Sequence, residues 1–362
     1  MRKFLGKIFN KKNIVFLTIF FLTAVFVILN NSAASSFFTP VNEFFIKIIG
    51  WLSSLTPVSI LGILTVAVIP LTVLIIWLFV LSKQKIRFFM NIIAIACVCL
   101  TLFYCVMGFN YHKESVYDTM DLTLTDEDAD FLESAARYYL AELNETAGKI
   151  QFADGHSVMD MSFDQMSEEI LNTYGKTEIF DFLYDFDLRP KQYYPSSIMN
   201  FTGTAGIFFP FFAEINVCGN MPDRDMPTTT AHEIAHSKGI MNEGECNFIA
   251  EIICINSEND YIRYSGLTVI FARLVNEIYK TNAVLYEELM SELNPLVLSD
   301  YAYSNQFYDS YDGIISEIFD KINDIYLKGN DVSGGVQSYS QAVKGILAYY
   351  HKYIANVDNS LN

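Results

Sequence analysis

Basic side chains are scarce in this sequence of 362 residues, in which 24 lysines and arginines stand against 41 aspartates and glutamates. The formal net charge of −17 excludes a nucleic-acid-binding protein, which needs a basic surface to contact phosphates. Six cysteines are too few for a disulfide scaffold, and no four-cysteine or Cys/His zinc-finger spacing is present. Because 52% of the residues are hydrophobic and 15% are aromatic, a disordered chain is also excluded.

Acidic side chains are nearly absent from the first 108 residues, where Glu43 stands alone beside nine basic residues. That part has a formal charge of +8, so the remaining 254 residues must have a charge of −25. Two parts of such different composition are suited to different solvents. We therefore expect a membrane anchor at residues 1–109 and one acidic domain outside the membrane at residues 110–362.

Long runs without a charged residue predict three transmembrane helices, at about residues 14–36, 58–81 and 88–109. The second and third runs have 24 and 22 uncharged residues, and about 20 suffice to cross the hydrocarbon core of a bilayer. The first run is shorter, and it is also compatible with the apolar region of a signal peptide. Residues 41–55 have helical apolar spacing, which predicts an amphipathic helix on the membrane surface.

The basic residues of the anchor are grouped, with five ahead of the first run and three in the connection of residues 82–87. The positive-inside rule places such segments in the cytoplasm. With three crossings, the N-terminus is then cytoplasmic and the C-terminal domain is extracytoplasmic. The sequence therefore predicts a multi-pass protein of the cell membrane, with the lipid bilayer as a partner.

The acidic part is predicted to be mostly α-helical, with a small sheet. Thr125-Asp126-Glu127-Asp128 is typical of a helix start, and helices are predicted at 126–147 and 163–174. Residues 207–217 are β-rich and aromatic, and Pro210 within them favours an edge strand. From Thr228 the pattern is helical almost to the end, with predicted breaks near Gly239, 256–260, 294–295 and 329–335.

The segment His232-Glu233-Ile234-Ala235-His236 has the spacing of a metal site. Residues four apart on a helix share one face, so His232 and His236 can bind the same ion. In zinc peptidases with the H-E-x-x-H motif, two imidazoles hold Zn²⁺ and the glutamate, here Glu233, is the general base. The alternative is a pair of core histidines that flank a glutamate by chance.

A catalytic zinc ion has three protein ligands and one open position. Gly239 allows the helix to end and the chain to turn, so that Glu243 or Glu245 can supply the third ligand; Glu243 is the prediction and Glu245 the alternative. Asn247 lies four residues after Glu243 and is predicted to orient that glutamate or a histidine by a hydrogen bond. The competing interpretation is that both glutamates only stabilise a helix N-terminus.

The segment HEIAHSKGIMNEGECNFIAEIIC, which begins at His232, resembles a bacterial membrane-protein family known as domain-of-unknown-function family 3810. The stretches 206–214 and 260–266 match the pattern of that family as well. Because the family is similar to zincin metallopeptidases, the resemblance implies N-terminal transmembrane α-helices followed by a mostly α-helical α+β zincin-like domain with a small sheet. It also implies a Zn²⁺ cofactor and a peptide or protein substrate.

A second resemblance concerns Glu-x-x-x-Asn, which begins at Glu243 and is similar to the Glu-x-x-Ala-Asp segment of membrane zinc proteases of the CAAX and heat-shock types. In those proteases the first glutamate binds zinc and the aspartate supports the site. Here Asn247 replaces the aspartate, and the distance in sequence from His236 is shorter.

The remaining site residues are predicted less directly. The similarity to zincins implies that a substrate binds as an extra strand along the predicted edge strand of residues 207–217. Glu214 is either a site carboxylate or a solvated strand residue. Tyr264 and Arg263 are predicted to stabilise the oxyanion of the transition state, and the alternative for Arg263 is structural pairing with the acidic surface.

The predicted function is therefore that of a membrane-anchored zinc-dependent metallopeptidase. The alternative is a catalytically inactive, metal-stabilised sensor or interaction domain on a membrane anchor. The pairing of Cys218, Cys246 and Cys254 stays open, except that Cys246 and Cys254 share a predicted helix and so are not expected to bridge.

Overall fold

The computed structural model describes residues 11–30, 32–124, 129–329 and 336–355. Within these ranges the chain is mostly helical, with two small sheets. The first part of the chain forms four long helices, α1 (Lys11–Leu29), α2 (Ser32–Ser54), α3 (Ile60–Leu81) and α4 (Lys85–Val106).

Two of these helices, α3 and α4, are 22 residues each and are long and apolar enough to cross a membrane. The apolar side chains of α3 are largely exposed, and Ile69, for example, is 73% exposed. The apolar part of α1, Val15–Leu29, is shorter. Helix α3 therefore has an apolar surface that the described protein does not cover.

The helix bounds differ from the predicted ones at both ends of this part. Helix α1 ends at Leu29 rather than at residue 36, and asparagine at position 30 favours a helix end over a helix interior. Helix α2 begins at Ser32, well before the predicted residue 41. Helix α4 spans 85–106 rather than 88–109, because a 3₁₀ helix, Gly108–His112, follows it.

Helices α1 and α4 run in the same direction. The hydroxyl of Thr23 lies 2.9 Å from that of Thr101 and 3.2 Å from the carbonyl oxygen of Cys97. Three residues further along α1, the ring of Phe26 is 5.8 Å from that of Phe109, which follows α4. Residues 82–84 join α3 to α4, and the ring of Phe79 lies 5.5 Å from that of Phe88 across this connection. The chain therefore turns back here, and α3 runs in the opposite direction to both α1 and α4.

Helix α2 packs by one face against α4 and against the domain. The side-chain amide of Asn42 donates a hydrogen bond to the carbonyl oxygen of Tyr104 at 2.7 Å, and Ile46 is fully buried. The opposite face leaves large apolar side chains exposed, among them Phe44 and Trp51, each at 59%. The helix is amphipathic, and its place on a membrane surface stays a prediction.

The second part of the chain contains eleven α-helices within the described residues, which are connected by short loops and by 3₁₀ helices at Glu178–Phe180 and Asp223–Asp225. A π-helical segment, Tyr350–Ala355, follows the last of them. The helices are α5 (Val116–Thr119), α6 (Ala129–Ala147), α7 (Phe163–Lys176), α8 (Ser196–Phe201), α9 (Met226–Ser237), α10 (Glu243–Ile255), α11 (Asp260–Thr281), α12 (Ala283–Glu292), α13 (Pro295–Asp309), α14 (Ile314–Gly329) and α15 (Val336–Tyr349).

These helices agree with the sequence pattern. Helices α6 and α7 occupy the two predicted helical segments, and the chain breaks at 238–242, 256–259 and 293–294 as expected. Further breaks occur at Asn282 and at 310–313. The predicted helix start Thr125–Asp128 and residues 330–335 of the predicted break at 329–335 lie outside the described residues.

The larger sheet has three strands in the order β3 (Lys191–Tyr193), β5 (Glu214–Cys218) and β4 (Gly206–Phe209). Strand β3 is parallel to β5, and β4 is antiparallel to it, with Phe208 opposite Ile215. The prediction of one edge strand over residues 207–217 is therefore wrong. The chain turns at 210–213, where Ala213 has a φ of +44°, so that β4 is at the edge and β5 is central. A separate hairpin pairs β1 (Gln151–Ala153) with β2 (His156–Val158).

Helix α10 is the centre of the domain core. Eleven of its 13 residues are buried, which is typical of a helix surrounded on all sides. It packs against α9, α11 and α15. Because α9 and α10 are consecutive in sequence and adjacent in space, side chains from the two helices meet in the interior.

Candidate metal centre

Helix α9 presents His232 and His236 one turn apart, with ring centroids separated by 4.8 Å. The helix ends at Ser237, and Gly239 follows with a φ of +91°, a conformation that favours glycine. A Cβ atom at Gly239 would also lie 2.5 Å from the ring of Tyr184. This turn returns the chain along α9 and starts α10 beside the two histidines.

Glu243 is the first residue of α10, and its carboxylate faces both histidines. Its Oε2 atom lies 3.2 Å from Nε2 of His232, and its Oε1 atom lies 3.7 Å from Nε2 of His236. Asn242 caps the helix, because its side-chain oxygen accepts hydrogen bonds from the two backbone N–H groups of residues 244 and 245. The cap fixes the first turn of α10 and so the position of Glu243.

The other ring nitrogen of each histidine has a partner. Nδ1 of His232 lies 3.0 Å from Oδ1 of Asn247, and Nδ1 of His236 lies 2.8 Å from the carbonyl oxygen of Ile240. Since such oxygens only accept, each Nδ1 carries a proton, so that Nε2 is the nitrogen that offers a lone pair to a metal when the ring is neutral. This is the arrangement in which histidine binds a metal through Nε2.

Burial and the neighbouring charges shift the pKa values of these groups in opposite directions. Burial acts to lower the pKa of His232, but the hydrogen bond and the charge of Glu243 outweigh it and raise the value to about 9. Burial acts to raise the pKa of Glu243, but His232 and His236 lower it to about 2. Without a metal, His232 and Glu243 therefore form an ion pair.

Glu233 is buried beside this group, and burial raises its pKa to about 8. Its Oε2 atom has no hydrogen-bond partner among the described residues. Strand β4 passes close by, and a Cβ atom at Gly206 would lie 2.6 Å from Oε1 of Glu233. Only glycine at this position lets the carboxylate lie against the edge strand.

The two histidines, Glu233 and Glu243 lie at a cavity of about 1000 Å³, named here the site cavity. Its walls include His232, Glu233, His236, Glu243 and all of β4. A ligand in the cavity can therefore contact the histidines, the buried carboxylate of Glu233 and the backbone of the edge strand at the same time.

An ion pair that lines the site cavity, Glu251 with Arg273, was not predicted from the sequence. Glu251 follows Glu243 and Asn247 at the same four-residue spacing on α10, and its Oε1 atom accepts a hydrogen bond from Nε of Arg273 at 2.6 Å. Both Glu251 and Arg273 line the cavity. The spacing of Glu243, Asn247 and Glu251 is a signal that could have identified Glu251, but no motif marks Arg273.

Cys246 also lies near the histidines, and its Sγ atom belongs to a group that could hold a metal with His232 and His236. However, Sγ lies 3.4 Å from Nδ1 of His236, the nitrogen that is bonded to Ile240. Burial raises the pKa of the thiol well above its ordinary value. Glu243, which faces both Nε2 atoms, therefore fits the third position better. All six cysteines are free, so Cys218, Cys246 and Cys254 form no disulfide.

Glu245, the alternative third ligand, points elsewhere. Its Oε1 atom accepts a hydrogen bond from the backbone N–H of Val116 at 3.1 Å, at the start of α5. Because its position on α10 is two residues after Glu243, its side chain leaves the helix in a different direction. The carboxylate of Glu245 therefore accepts a hydrogen bond at the N-terminus of α5, a helix other than its own.

Arg263 and Tyr264 are also directed away from the histidines, so the structure does not support their predicted role at an oxyanion. Arg263 donates hydrogen bonds to the carbonyl oxygen of Ile255 and to the carboxylate of Glu142. The hydroxyl of Tyr264 donates to Oδ2 of Asp300 at 2.8 Å. Both residues face partners within the helical core.

Glu214 is neither a solvated residue nor part of the site cavity. It is buried at the start of β5, where its Oε1 atom lies 2.6 Å from Nζ of Lys191. Its two oxygens also accept hydrogen bonds, each of 3.0 Å, from the backbone N–H groups of Ile60 and Leu61. Glu214 thus stabilises the N-terminus of α3 rather than a metal.

The chemistry of the remaining donor set fits Zn²⁺, which accepts imidazole nitrogen and carboxylate oxygen and needs three protein ligands in a catalytic site. His232, His236 and Glu243 supply two Nε2 atoms and one carboxylate on a common side. The unpartnered Oε2 atom of Glu233 lies beside them and is left for a further group in the cavity.

Comparison with known proteins assigns the chain to a family. No curated protein and no solved structure matches the chain. A family described as "Protein of unknown function (DUF3810)" matches residues 37–347, which include part of the apolar helices and the whole candidate metal centre. The resemblance to domain-of-unknown-function family 3810 is thereby confirmed, and the chain belongs to the DUF3810 family; the similarity to zincins stays a prediction.

Proposed function

We propose that the chain is a membrane-anchored, zinc-dependent metallopeptidase with a zincin-like domain. The observation that carries the proposal is the position of Glu243, whose two carboxylate oxygens each face the Nε2 atom of one motif histidine. In this proposal His232, His236 and Glu243 hold Zn²⁺. Asn247 and the Ile240 carbonyl keep the two rings oriented through their Nδ1 atoms.

A zinc ion supplies Lewis acidity, which lowers the pKa of water and polarises a carbonyl group. The chain supplies the proton transfers. The carboxylate of Glu233 accepts the proton of the attacking water and then donates it to the nitrogen of the cleaved peptide bond. Its burial and its unpartnered oxygen support this role, since a general base must be free to bond the group from which it takes a proton.

Strand β4 supports a peptide as the substrate class. Within the described residues, β4 pairs only with β5, so its other edge lies beside the cavity without a neighbouring strand. An extended peptide can add to such an edge by main-chain hydrogen bonds. Gly206 brings that edge against Glu233, so a peptide bound there lies near the base.

The course of the apolar helices supports a multi-pass anchor. Helices α1 and α4 are parallel and α3 is antiparallel to them, so the start of α1 and the basic connection of residues 82–87 lie at the same end. We propose that this end is cytoplasmic and that the domain is extracytoplasmic.

The test compares the full chain with Glu233→Gln, with zinc content and cleavage of a peptide library measured on the same samples. We expect equal zinc content and loss of cleavage in the variant, and Glu258→Gln, a change at an exposed position, to leave both unchanged. Cleavage that persists in Glu233→Gln would contradict the mechanism. Bound zinc with no cleavage by the unmodified chain would favour the metal-stabilised sensor or interaction domain.

A further inference from the structure

The site cavity is not enclosed by the acidic domain alone. Leu61 and Thr65 of α3 and Phe103 of α4 line it, together with Met107 just beyond α4. These are the two helices that are long and apolar enough to cross a membrane. One wall of the cavity therefore lies where the apolar helices leave the domain.

The start of α3 is fixed to the sheet that carries the edge strand. Glu214 accepts hydrogen bonds from the first backbone N–H groups of α3, and its partner Lys191 donates to the carbonyl oxygen of Ser53 at 2.8 Å. The hydroxyl of Ser59 donates to Oδ1 of Asn216 at 2.6 Å. Tilting α3 relative to β5 would break several of these buried polar contacts, so the orientation of the cavity relative to α3 is fixed.

A further part of the cavity wall bears an exposed apolar surface. Ile198 of α8 and Phe319 and Ile322 of α14 line the cavity. On α14, Ile314 is 76% exposed and Ile318 is 49% exposed, so apolar side chains extend along the first half of this helix. We call this set the apolar rim; it comprises Ile198, Phe201, Ile314, Ile315, Ile318, Phe319 and Ile322.

A lipid surface is the occupant that fits the apolar rim. A large exposed apolar patch on a soluble domain is uncommon and indicates a partner. The rim shares the cavity with Leu61, and from there the apolar surface continues along the exposed side of α3. Because α3 is held rigidly, a membrane that surrounds α3 also meets the rim next to it.

We propose that this site cleaves polypeptides that are themselves held in the membrane, within the segment that emerges from the bilayer. This inference rests on the proposed peptidase function and names its substrate class. The rim contacts the bilayer surface, the emerging segment adds to β4, and the membrane anchor of the substrate keeps its concentration at the cavity high.

The test uses the full chain, loaded with zinc and reconstituted in phosphatidylcholine vesicles, with one randomised peptide library in two forms. One form carries a transmembrane anchor and the other is free. We expect the anchored form to be cleaved faster by about 100-fold, the lower end of what effective concentration gives, with cuts near the anchor. Glu233→Gln should abolish cleavage of both forms.

The outcomes separate the two proposals. Equal cleavage rates for the anchored and free forms would overturn the inference and leave the peptidase function intact. No cleavage of either form by zinc-loaded protein would overturn the peptidase function itself, and the inference with it.

A second measurement tests whether the apolar rim contacts lipid, and it does not depend on peptidase activity. Tryptophan is introduced by Ile318→Trp in a background with Trp51→Phe and Trp77→Phe, and its fluorescence is measured in vesicles of brominated phosphatidylcholine. Quenching at position 318 is expected, with little at the control Val284→Trp, an exposed position of α12 outside the rim. Equal fluorescence at position 318 in brominated and ordinary lipid would overturn the proposal.

Discussion

The Oε2 atom of Glu243 lies 3.2 Å from the Nε2 atom of His232, although the two residues belong to different helices. The turn at Gly239 brings them together, and the cap at Asn242 fixes the glutamate in the first turn of α10. Glu245, two residues further along, faces the start of α5 instead. This contrast between neighbouring glutamates gives the most specific prediction.

Removal of the Glu243 carboxylate should weaken zinc binding, and removal of the Glu245 carboxylate should not. We expect Glu243→Ala to lower the zinc affinity by more than about 100-fold, beyond the 10–100-fold typical of residues that only orient a ligand. Glu245→Gln is the matched control, and competition with a chelator of known affinity measures both. A similar loss of zinc affinity in the two variants would contradict the assignment of Glu243 as the third ligand.

Zinc affinity should rise with pH in the range below about 9. Burial lowers the pKa of His232, but the hydrogen bond and charge of Glu243 raise it to about 9, so His232 is protonated at pH 7 without metal. Zinc binds the neutral imidazole, so binding releases at least one proton, and the affinity should increase by at least about tenfold per pH unit. Calorimetry in buffers of different ionisation enthalpy counts the protons, and no proton release at pH 7 would contradict this ion pair.

Gly206→Ala should lower peptidase activity without removing zinc. The added Cβ atom would lie 2.6 Å from Oε1 of Glu233, so the carboxylate or the edge strand must move. A displacement of about 1 Å at a catalytic group can cost on the order of 100-fold in rate. Gly175→Ala is the control, because nothing lies within 4 Å of a Cβ atom there. Unchanged cleavage in Gly206→Ala would show that the contact between β4 and Glu233 has no catalytic role.

The buried pair of Lys191 and Glu214 should stabilise the junction of α3 with the sheet. Both side chains are fully buried, so Glu214→Leu alone leaves an uncompensated charge and should destabilise the protein by about 3–5 kcal/mol. A double-mutant cycle compares Glu214→Leu, Lys191→Met and the variant with both changes by denaturant unfolding in detergent. We expect a coupling energy of roughly 0.5–3 kcal/mol between the two residues. Additive effects of the two changes would contradict a direct interaction.

Much of the helical architecture could be predicted from the sequence, because apolar periodicity and breaker residues act locally. The breaks at Gly239 and 293–294 and the start of α10 at Glu243 follow from such signals. The sequence does not show where β4 ends and β5 begins, because strand and turn residues have the same composition in this aromatic stretch. Its turn depends on Ala213, which adopts a left-handed conformation that its residue type does not suggest.

The candidate site was predicted where its residues are close in sequence. His232, Glu233 and His236 form one motif, and the position of Glu243 follows from a short turn. Arg273 and the apolar wall from α3 and α4 reach the cavity only through tertiary packing, and no local pattern marks them. Arg263, Tyr264 and Glu214 were predicted at the site from their side-chain chemistry, with no signal that fixes their distance from the metal. The helices and the sheet direct them to other partners.

The most direct test of the central claim is X-ray absorption at the zinc edge on the full chain purified with the metal. The account predicts one zinc ion per chain with nitrogen and oxygen neighbours at about 2.0–2.2 Å and no sulfur neighbour. Absence of stoichiometric zinc would contradict the centre of His232, His236 and Glu243. A sulfur neighbour near 2.3 Å would contradict it as well, because that distance would place Cys246 on the metal.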